Sequence, residues 1–234
     1  MGFYYFDYTY FLYMLPALLI SMYAQFKVNS AFQKYSQVFP VQGMTGRQAA
    51  EAVLRYGSVP GVSVRAIPGR LTDNFNPRTG VISLSGSVYN VSSIAAVGVA
   101  AHEAGHAIQH SVGYLPIKLR SFLVPITNFG SALSVPLIFI GLLLPVQYDF
   151  VVTIGIALYS LMVLFQLVTL PVEFNASSRA LRALEAAGIL YPDELKGAEK
   201  VLRAAAMTYL AAAFTSLMSL FRLLAIAGSR RRRD

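Results

Sequence analysis

Long runs without charge alternate with mixed polar segments along this chain, and these runs predict its membrane-spanning elements. Four stretches contain no Asp, Glu, Lys or Arg and are rich in Leu, Ile, Val, Phe and Ala; they cover residues 8–26, 121–148, 150–172 and 204–221. Each approaches or exceeds the roughly 20 apolar residues that cross a hydrocarbon core about 30 Å thick. A fifth charge-free run, 79–102, is rich in Ser and Gly and predicts a strand, a turn and a helix start.

The segment after the first run has the shorter periodicities of a small α+β part. Thr45 and Gln48 have the spacing of a capping box before an amphipathic helix that stops at Gly57. The alternating residues 61–69 predict a strand, and a turn rich in Asn, Pro and Gly separates them from a second strand, Val81–Ser85.

Composition places the chain among membrane proteins. Of its 234 residues, 56% are hydrophobic and only 13% are charged, which is too little charge for an ordinary soluble domain. The absence of cysteine fits a reducing compartment and excludes thiolate zinc sites and disulfides.

The distribution of charge predicts the orientation in the membrane. Nine Lys/Arg and three Asp/Glu lie between Lys27 and Arg120, whereas the first 26 residues and the hinge 145–149 contain no Lys or Arg. By the positive-inside rule, the segment 27–120 faces the cytoplasm, and the N-terminus and the hinge face outward. The N-terminus also lacks the basic region of a cleaved signal, which favours a retained anchor. If all four apolar runs cross the membrane, the basic tail "SRRRRD" lies outside the cell, which conflicts with the positive-inside rule. The sequence therefore leaves open whether residues 204–227 cross.

The net charge of +8 bears on the partners of the chain. Basic residues that flank apolar spans more often contact anionic lipid head groups than nucleic acid. We therefore expect the lipid bilayer as a partner and no nucleic acid.

A helix is predicted after the second strand, where Ser92 or Ser93 can cap its start and Gly113 lies near its end. It contains all the histidines of the chain, which are His102, His106 and His110. A sequence that uses histidine nowhere else thus concentrates it on one helix.

The segment "HEAGH" has the H-E-x-x-H spacing of zinc hydrolases. His102 and His106 lie one helical turn apart on the same face, so both can bind one ion. Glu103 lies beside the ion, where it can take a proton from a water that attacks a carbonyl. Gly105 would leave room for a substrate backbone. The alternative is a helix with ordinary solvent-facing or core histidines and no metal.

His110 is not expected to join the same ion. In metzincins the third histidine follows the first by ten residues, after a glycine that bends the chain back. His110 follows His102 by eight residues without such a glycine, and an unbroken helix separates them by about 12 Å. We interpret His110 as a polar residue near the helix end or a group that supports the ligands.

The third ligand must be a carboxylate, because the chain has no cysteine and no fourth histidine. Glu173 is favoured because it follows the third apolar run, on the first turn of a new helix that Pro171 would begin, and two crossings return it to the membrane face of His106. Its alternative role is a carboxylate at a helix N-terminus. The rival ligands, which also have salt-bridge interpretations, are Glu185, Asp193, Glu194 and Glu199.

Three segments, "LTDNFNPRTGVISLS", "SIAAVGVAAHEAGHAIQH" and "LPVEFNASSRAL", resemble the YugP-type membrane zinc metallopeptidases of bacteria. The resemblance covers nearly the whole chain in order. It implies one Zn²⁺ per chain, held by His102, His106 and Glu173, with Glu103 as the catalytic residue. The chain is more distantly similar to integral-membrane gluzincins of the HtpX and CAAX-prenyl-protease type. In those proteins an E-x-x-x-D helix supplies an aspartate where this chain has Ser177.

These observations predict a mainly α membrane protein with three to four transmembrane helices and a small α+β zincin-like cytoplasmic part. The predicted parts are an N-terminal anchor, a cytoplasmic part with the HExxH helix, a transmembrane hairpin, the third-ligand helix with an amphipathic segment, and an apolar helix with a basic tail. Their ranges are 1–26, 27–120, 121–172, 173–203 and 204–234.

The predicted function is that of a multi-pass cell-membrane zinc metalloendopeptidase with its active site on the cytoplasmic side. Its substrate would be a membrane-associated polypeptide. Strand Val81–Ser85 would be either a sheet edge onto which an extended substrate adds or an ordinary half-buried strand. One alternative is a zinc-stabilised membrane scaffold without proteolytic turnover. A transporter is less favoured, since only Arg222 would place a charge inside a span. The oligomeric state is not predicted.

Overall fold

The computed structural model describes residues 9–231. Within this range the chain is mainly helical, with a short π-helical turn before α1 and a 3-10 turn before α5. Residues 1–8 of the predicted anchor and 232–234 of the basic tail lie outside the described residues. The elements are α1 (Leu15–Tyr35), α2 (Gly46–Tyr56), β1 (Ser63–Ile67), β2 (Asn74–Asn76), β3 (Val81–Ser85), α3 (Ile94–Ser111), α4 (Leu115–Leu143), α5 (Asp149–Ala186) and α6 (Pro192–Arg231).

The chain forms two compact units. The first contains the chain up to Tyr23, Leu119–Leu170 and the chain from Tyr209, and the second contains Ala24–Lys118 and Pro171–Thr208. Among the described residues, four helices are long and apolar enough to cross a membrane; they are α1 with the turn before it, α4, α5 with the turn before it, and α6. The number of candidate spans therefore lies at the upper end of the three to four that the sequence predicts.

Helix α4 shows the surface expected of a lipid-facing span. Phe122, Phe129, Phe139 and Leu143 are between 63 and 73% exposed, although they are large and apolar. Exposed side chains of this size are unfavourable in water but not in hydrocarbon. Gly155 of α5 lies so close to α4 that a Cβ there would come within 3.0 Å of the backbone of Ile138, so the hairpin helices pack tightly.

Within the first unit, α1 and α6 run antiparallel. The hydroxyls of Ser21 and Thr215 are 3.1 Å apart, and the Arg222 guanidinium lies over the ring of Tyr10, 5.3 Å from its centroid. Moving towards the N-terminus on α1 therefore means moving towards the C-terminus on α6.

The C-terminal end of α6 lies beside the turn between α4 and α5. Arg230 donates hydrogen bonds to the carbonyls of Gly141 and Leu144, and its Nε is 3.4 Å from Oδ1 of Asp149. The start of α1, this turn and the end of α6 thus share one end of the first unit. This arrangement favours a crossing by the last apolar helix.

The second unit contains a three-stranded sheet in the order β1-β3-β2. Strand β3 pairs parallel with β1, Ser63 opposite Val81, and antiparallel with β2, Asn74 opposite Ser83. The strand predicted over Val81–Ser85 is confirmed, but its predicted role as a substrate-accepting edge is wrong, because it is the central strand with both sides paired. The sequence also gave no sign of β2, which lies inside the predicted turn.

Local capping rules hold in the second unit. The Thr45 side chain accepts a hydrogen bond from the backbone N–H of Gln48, and the Gln48 side chain accepts one from the backbone N–H of Thr45. The predicted capping box before α2 is therefore confirmed, and so is the predicted end of this helix at Gly57. Ser93 rather than Ser92 caps α3, with its hydroxyl accepting the N–H of Ala96. Helix α3 is buried along most of its length, against α2, the sheet, and the parts of α5 and α6 in this unit.

The predicted break before Glu173 is wrong. Helix α5 continues from Asp149 to Ala186 with Pro171 inside it, so Glu173 lies in mid-helix and not on a first turn. Its alternative role at a helix N-terminus is therefore excluded. Proline is tolerated inside membrane-embedded helices because neighbouring groups can satisfy the freed backbone carbonyl.

Candidate metal centre

The second unit brings the two HExxH histidines and the predicted carboxylate together. Oε2 of Glu173 lies 3.2 Å from Nε2 of His102 and 3.5 Å from Nε2 of His106. One ligand atom from each of the three residues lies within 4.8 Å of the others. Glu173 is 2% exposed and His106 is 9% exposed, so the carboxylate is placed by packing and not by solvent contacts.

This arrangement fits a zinc ion. Two ligand atoms at about 2.0 to 2.1 Å from zinc in tetrahedral geometry are about 3.4 Å apart. The two measured separations, 3.2 and 3.5 Å, bracket that value. Two imidazoles and one carboxylate also form the donor set of His/His/Glu hydrolases, which leave the fourth position to water or substrate. A buried carboxylate between two imidazoles is explained by a shared cation.

The remaining candidates lie elsewhere. His110 is outside the cluster, and its ring packs edge-on against Phe75, with 5.7 Å between centroids. Among the rival carboxylates, Glu194 accepts the backbone N–H of Val41. Two further rivals form helix-surface ion pairs, Asp193 with Lys196 and Glu199 with Arg203.

Glu103 adjoins the cluster. Its side chain is buried, and burial raises the pKa of its carboxyl, although both histidines oppose this shift. It is close enough to Glu173 and to Asp73 for their charges to act on it. A buried carboxylate with a raised pKa beside a metal position suits a group that accepts and returns a proton. Glu103 and Glu173 thus occupy different environments, one beside the cluster and one within it.

Polar residues behind the ligands were largely missed by the sequence analysis. Ser177 Oγ lies 3.1 Å from Nδ1 of His102, one helical turn after Glu173. Gln109 Oε1 lies 3.0 Å from Nδ1 of His106. The signal available in the sequence was a polar side chain one turn from a ligand on a largely apolar helix.

Asp73 was also missed. Its carboxylate accepts the backbone N–H of Ser85 at 2.7 Å and the Ser85 hydroxyl at 3.1 Å. These bonds join the residue before β2 to the end of β3. Burial raises the pKa of Asp73, in spite of those bonds.

Comparison with known proteins agrees with this geometry. Residues 10–228 match the family described as "Putative neutral zinc metallopeptidase". The "Putative membrane protease YugP" of Bacillus subtilis (strain 168) is 44% identical over 212 residues, which is 91% of this chain and 93% of the relative. No solved structure matches the chain. The family match covers nearly all of the chain, and the protein therefore belongs to the neutral zinc metallopeptidase family.

Proposed function

We propose that this protein is an integral-membrane zinc metalloendopeptidase that hydrolyses peptide bonds near the cytoplasmic surface of the cell membrane. The observation that carries the proposal is the convergence of His102, His106 and Glu173, with Glu103 next to the first histidine. Membership of a zinc metallopeptidase family and similarity to a membrane protease support it.

The proposed chemistry divides the residues into two roles. His102, His106 and Glu173 would hold the zinc, which when bound lowers the pKa of a coordinated water to about 7 and polarises the peptide carbonyl. Glu103 would take a proton from the attacking water and deliver it to the nitrogen that leaves as the C–N bond breaks. The burial of Glu103 supports this role, because burial raises the pKa of its carboxyl and so makes the carboxylate a better acceptor for the proton of the water.

The proposed substrates are membrane proteins or juxtamembrane segments. Glu173 follows Leu170, near the end of the third apolar run, by only three residues. A ligand so close to a span would hold the metal near the membrane surface, where a membrane-bound polypeptide is delivered at high effective concentration. The cytoplasmic side is supported by the excess of Lys and Arg between residues 27 and 120.

Zinc analysis and casein digestion by the full chain in detergent, with two variants, test the catalytic proposal. Glu103→Gln keeps all three ligands, so it should retain one zinc per chain and lose activity by about 10²-fold or more. Glu173→Ala should lose both zinc and activity. A zinc-stabilised scaffold predicts instead no digestion by the wild type and no effect of Glu103→Gln on any property, which would overturn the proposed activity.

A separate experiment tests the substrate class. The same peptide is offered to the full chain in proteoliposomes either free or with a lipid anchor on one end. We expect faster cleavage of the anchored peptide, and the difference should disappear when both are assayed in excess detergent. Equal rates in the two lipid assays would contradict the membrane-substrate proposal but not the peptidase activity.

A further inference from the structure

The side chain of Gln109 is completely buried between α3 and α5, and all of its hydrogen-bonding groups are used. Its Nε2 donates to the backbone carbonyl of Val172 at 2.8 Å and to Oδ1 of Asn175 at 3.0 Å. Its Oε1 lies 3.0 Å from Nδ1 of His106. A glutamine amide offers two donors on nitrogen and one acceptor oxygen, so this environment matches it fully.

The acceptors on α5 fix the orientation of the amide. A backbone carbonyl can only accept, so the Val172 oxygen must face the amide nitrogen. The Asn175 oxygen is identified independently, because it also accepts from Nε of Arg179 at 2.7 Å, and arginine can only donate. Both contacts therefore turn the oxygen of Gln109 towards His106.

The orientation of Gln109 in turn fixes the tautomer of His106. An amide oxygen can only accept, so Nδ1 of His106 must carry the hydrogen, and in the neutral ring Nε2 then has the free lone pair. This Nε2 is the atom that lies 3.5 Å from Glu173. For His102, the partner of Nδ1 is the Ser177 hydroxyl, which can donate or accept and does not fix the tautomer in this way.

We propose that Gln109 is a positioning residue that holds His106 with its Nε2 lone pair towards the zinc position and ties this ligand to the helix carrying Glu173. The inference rests on the proposed zinc site. Gln109 bonds to Val172, the residue directly before Glu173, so one side chain links ligands from two helices. Groups that orient metal-bound histidines are typically worth about 10- to 100-fold in metal affinity.

Three variants of the full chain in detergent test this role by competition for Zn²⁺ with a chromophoric chelator. Gln109→Met keeps the length of the side chain and removes its polar groups, so zinc affinity should fall about 10- to 100-fold. Gln109→Glu keeps an acceptor for His106 but sets an oxygen against the Val172 carbonyl, so zinc affinity should stay near the wild-type value while the metal-free protein unfolds at a lower temperature. Gln42→Met is the control for the substitution itself, since it removes a bond of the same type at an exposed position, from Gln42 to the Gly188 carbonyl at 2.8 Å.

The absorption spectrum of the Co²⁺-loaded protein supplies a readout that stability alone does not move. We expect an altered d–d band in Gln109→Met and wild-type bands in Gln109→Glu and Gln42→Met. The inference would be overturned if Gln109→Met bound zinc with wild-type affinity. It would also be overturned if Gln109→Glu lost zinc affinity in proportion to its loss of thermal stability. If Gln109→Met does not fold, Gln109→Glu alone decides.

The same measurements separate this inference from the proposed function. Wild-type protein that binds zinc but digests no casein would contradict the peptidase proposal, and the affinity ratios would still decide the role of Gln109. Wild-type protein that binds no zinc would overturn both.

Discussion

Gly105 of α3 lies directly against the backbone of Ala176 in α5. A Cβ built on Gly105 would come within 2.5 Å of the Ala176 carbonyl oxygen, closer than real Cβ contacts allow. The glycine therefore permits the close crossing of the two helices that carry the ligands, three residues after His102 and three residues after Glu173. The expectation that Gly105 makes room for a substrate backbone is wrong, because the backbone it faces belongs to the protein itself.

Gly105→Ala should consequently separate the ligands. The added methyl meets backbone, which cannot rotate away, so α3 and α5 must move apart at the level of the site. A displacement of about 1 Å in a catalytic site can lower activity about 10²-fold, and we expect a loss of casein digestion of that order together with weaker zinc binding.

Gly98→Ala is the matched control for this substitution. It lies on the same helix, and its new Cβ would meet the Cβ of Ala198 at 3.4 Å, an ordinary contact. Both changes replace glycine by alanine inside a helix, which favours the helical conformation by about 1 kcal/mol in each case, so the two variants differ only in the steric effect of the methyl group. Equal zinc affinity in Gly98→Ala and Gly105→Ala would show that the crossing does not position the ligands.

Ser177→Ala tests the partner of the other histidine. The change removes the hydroxyl 3.1 Å from Nδ1 of His102 and should weaken zinc binding, by up to about tenfold. The effect should be smaller than that of Gln109→Met, because Ser177 is only half-buried and water can replace the lost partner, whereas Gln109 is completely buried. Ser178→Ala, an exposed neighbour on the same helix, should leave zinc affinity unchanged in the same titration. Equal affinities in both alanine variants would refute this role of Ser177.

Short-range rules predicted those features whose causes lie within a few residues. The Thr45–Gln48 box, the strand Val81–Ser85 and the pair His102–His106 each follow from spacing alone. The continuity of α5 could not be predicted in this way. A proline favours a helix start, and its interior position in α5 depends on neighbouring groups that satisfy the freed backbone carbonyl, which spacing along the sequence does not reveal.

Features that depend on distant partners were also beyond the sequence. Strand β2 has only three residues and exists through its pairing with β3. Gln109 is polar on an apolar helix, and its role becomes visible only when Val172 and Asn175 are placed beside it. Glu173 was favoured over its rivals because the order of the spans returns it to the right side. Its atomic contacts to both histidines required the crossing at Gly105.

The metal-free and zinc-loaded proteins should respond to pH in opposite directions. Burial opposes the charge on His106, but its bond to Glu173 and the nearby Glu103 outweigh burial, so the pKa of His106 is raised from its ordinary 6.5. Protonation of His106 stabilises the metal-free fold. This stabilisation is fully present below the pKa that the histidine has in the unfolded chain, and it is lost as the pH rises through the higher pKa that the histidine has in the folded protein. Zinc must displace the same proton, so its apparent affinity should rise over that interval.

Thermal unfolding in detergent from about pH 6 to pH 8, with chelator or with excess zinc, measures this response. We expect a falling midpoint without metal and a rising one with zinc. His106→Gln is the control, since it removes the titrating ring and should flatten the metal-free trend. A metal-free midpoint that rises with pH in the wild type but not in His106→Gln would contradict the prediction.

Single cysteines can establish the path of the chain across the membrane, because the natural sequence contains none. The bonds from Arg230 to the hairpin turn place the C-terminal end of α6 at the same end of the first unit as that turn. Ser229→Cys and Gln147→Cys, both at exposed positions, should therefore react with an impermeant maleimide from the same side of intact cells. Thr79→Cys, in the segment that the charge rule assigns to the cytoplasm, should react only after the membrane is opened. Labelling of Ser229→Cys from the side opposite to Gln147→Cys would mean that α6 does not cross, and the contacts of Arg230 would then be wrong.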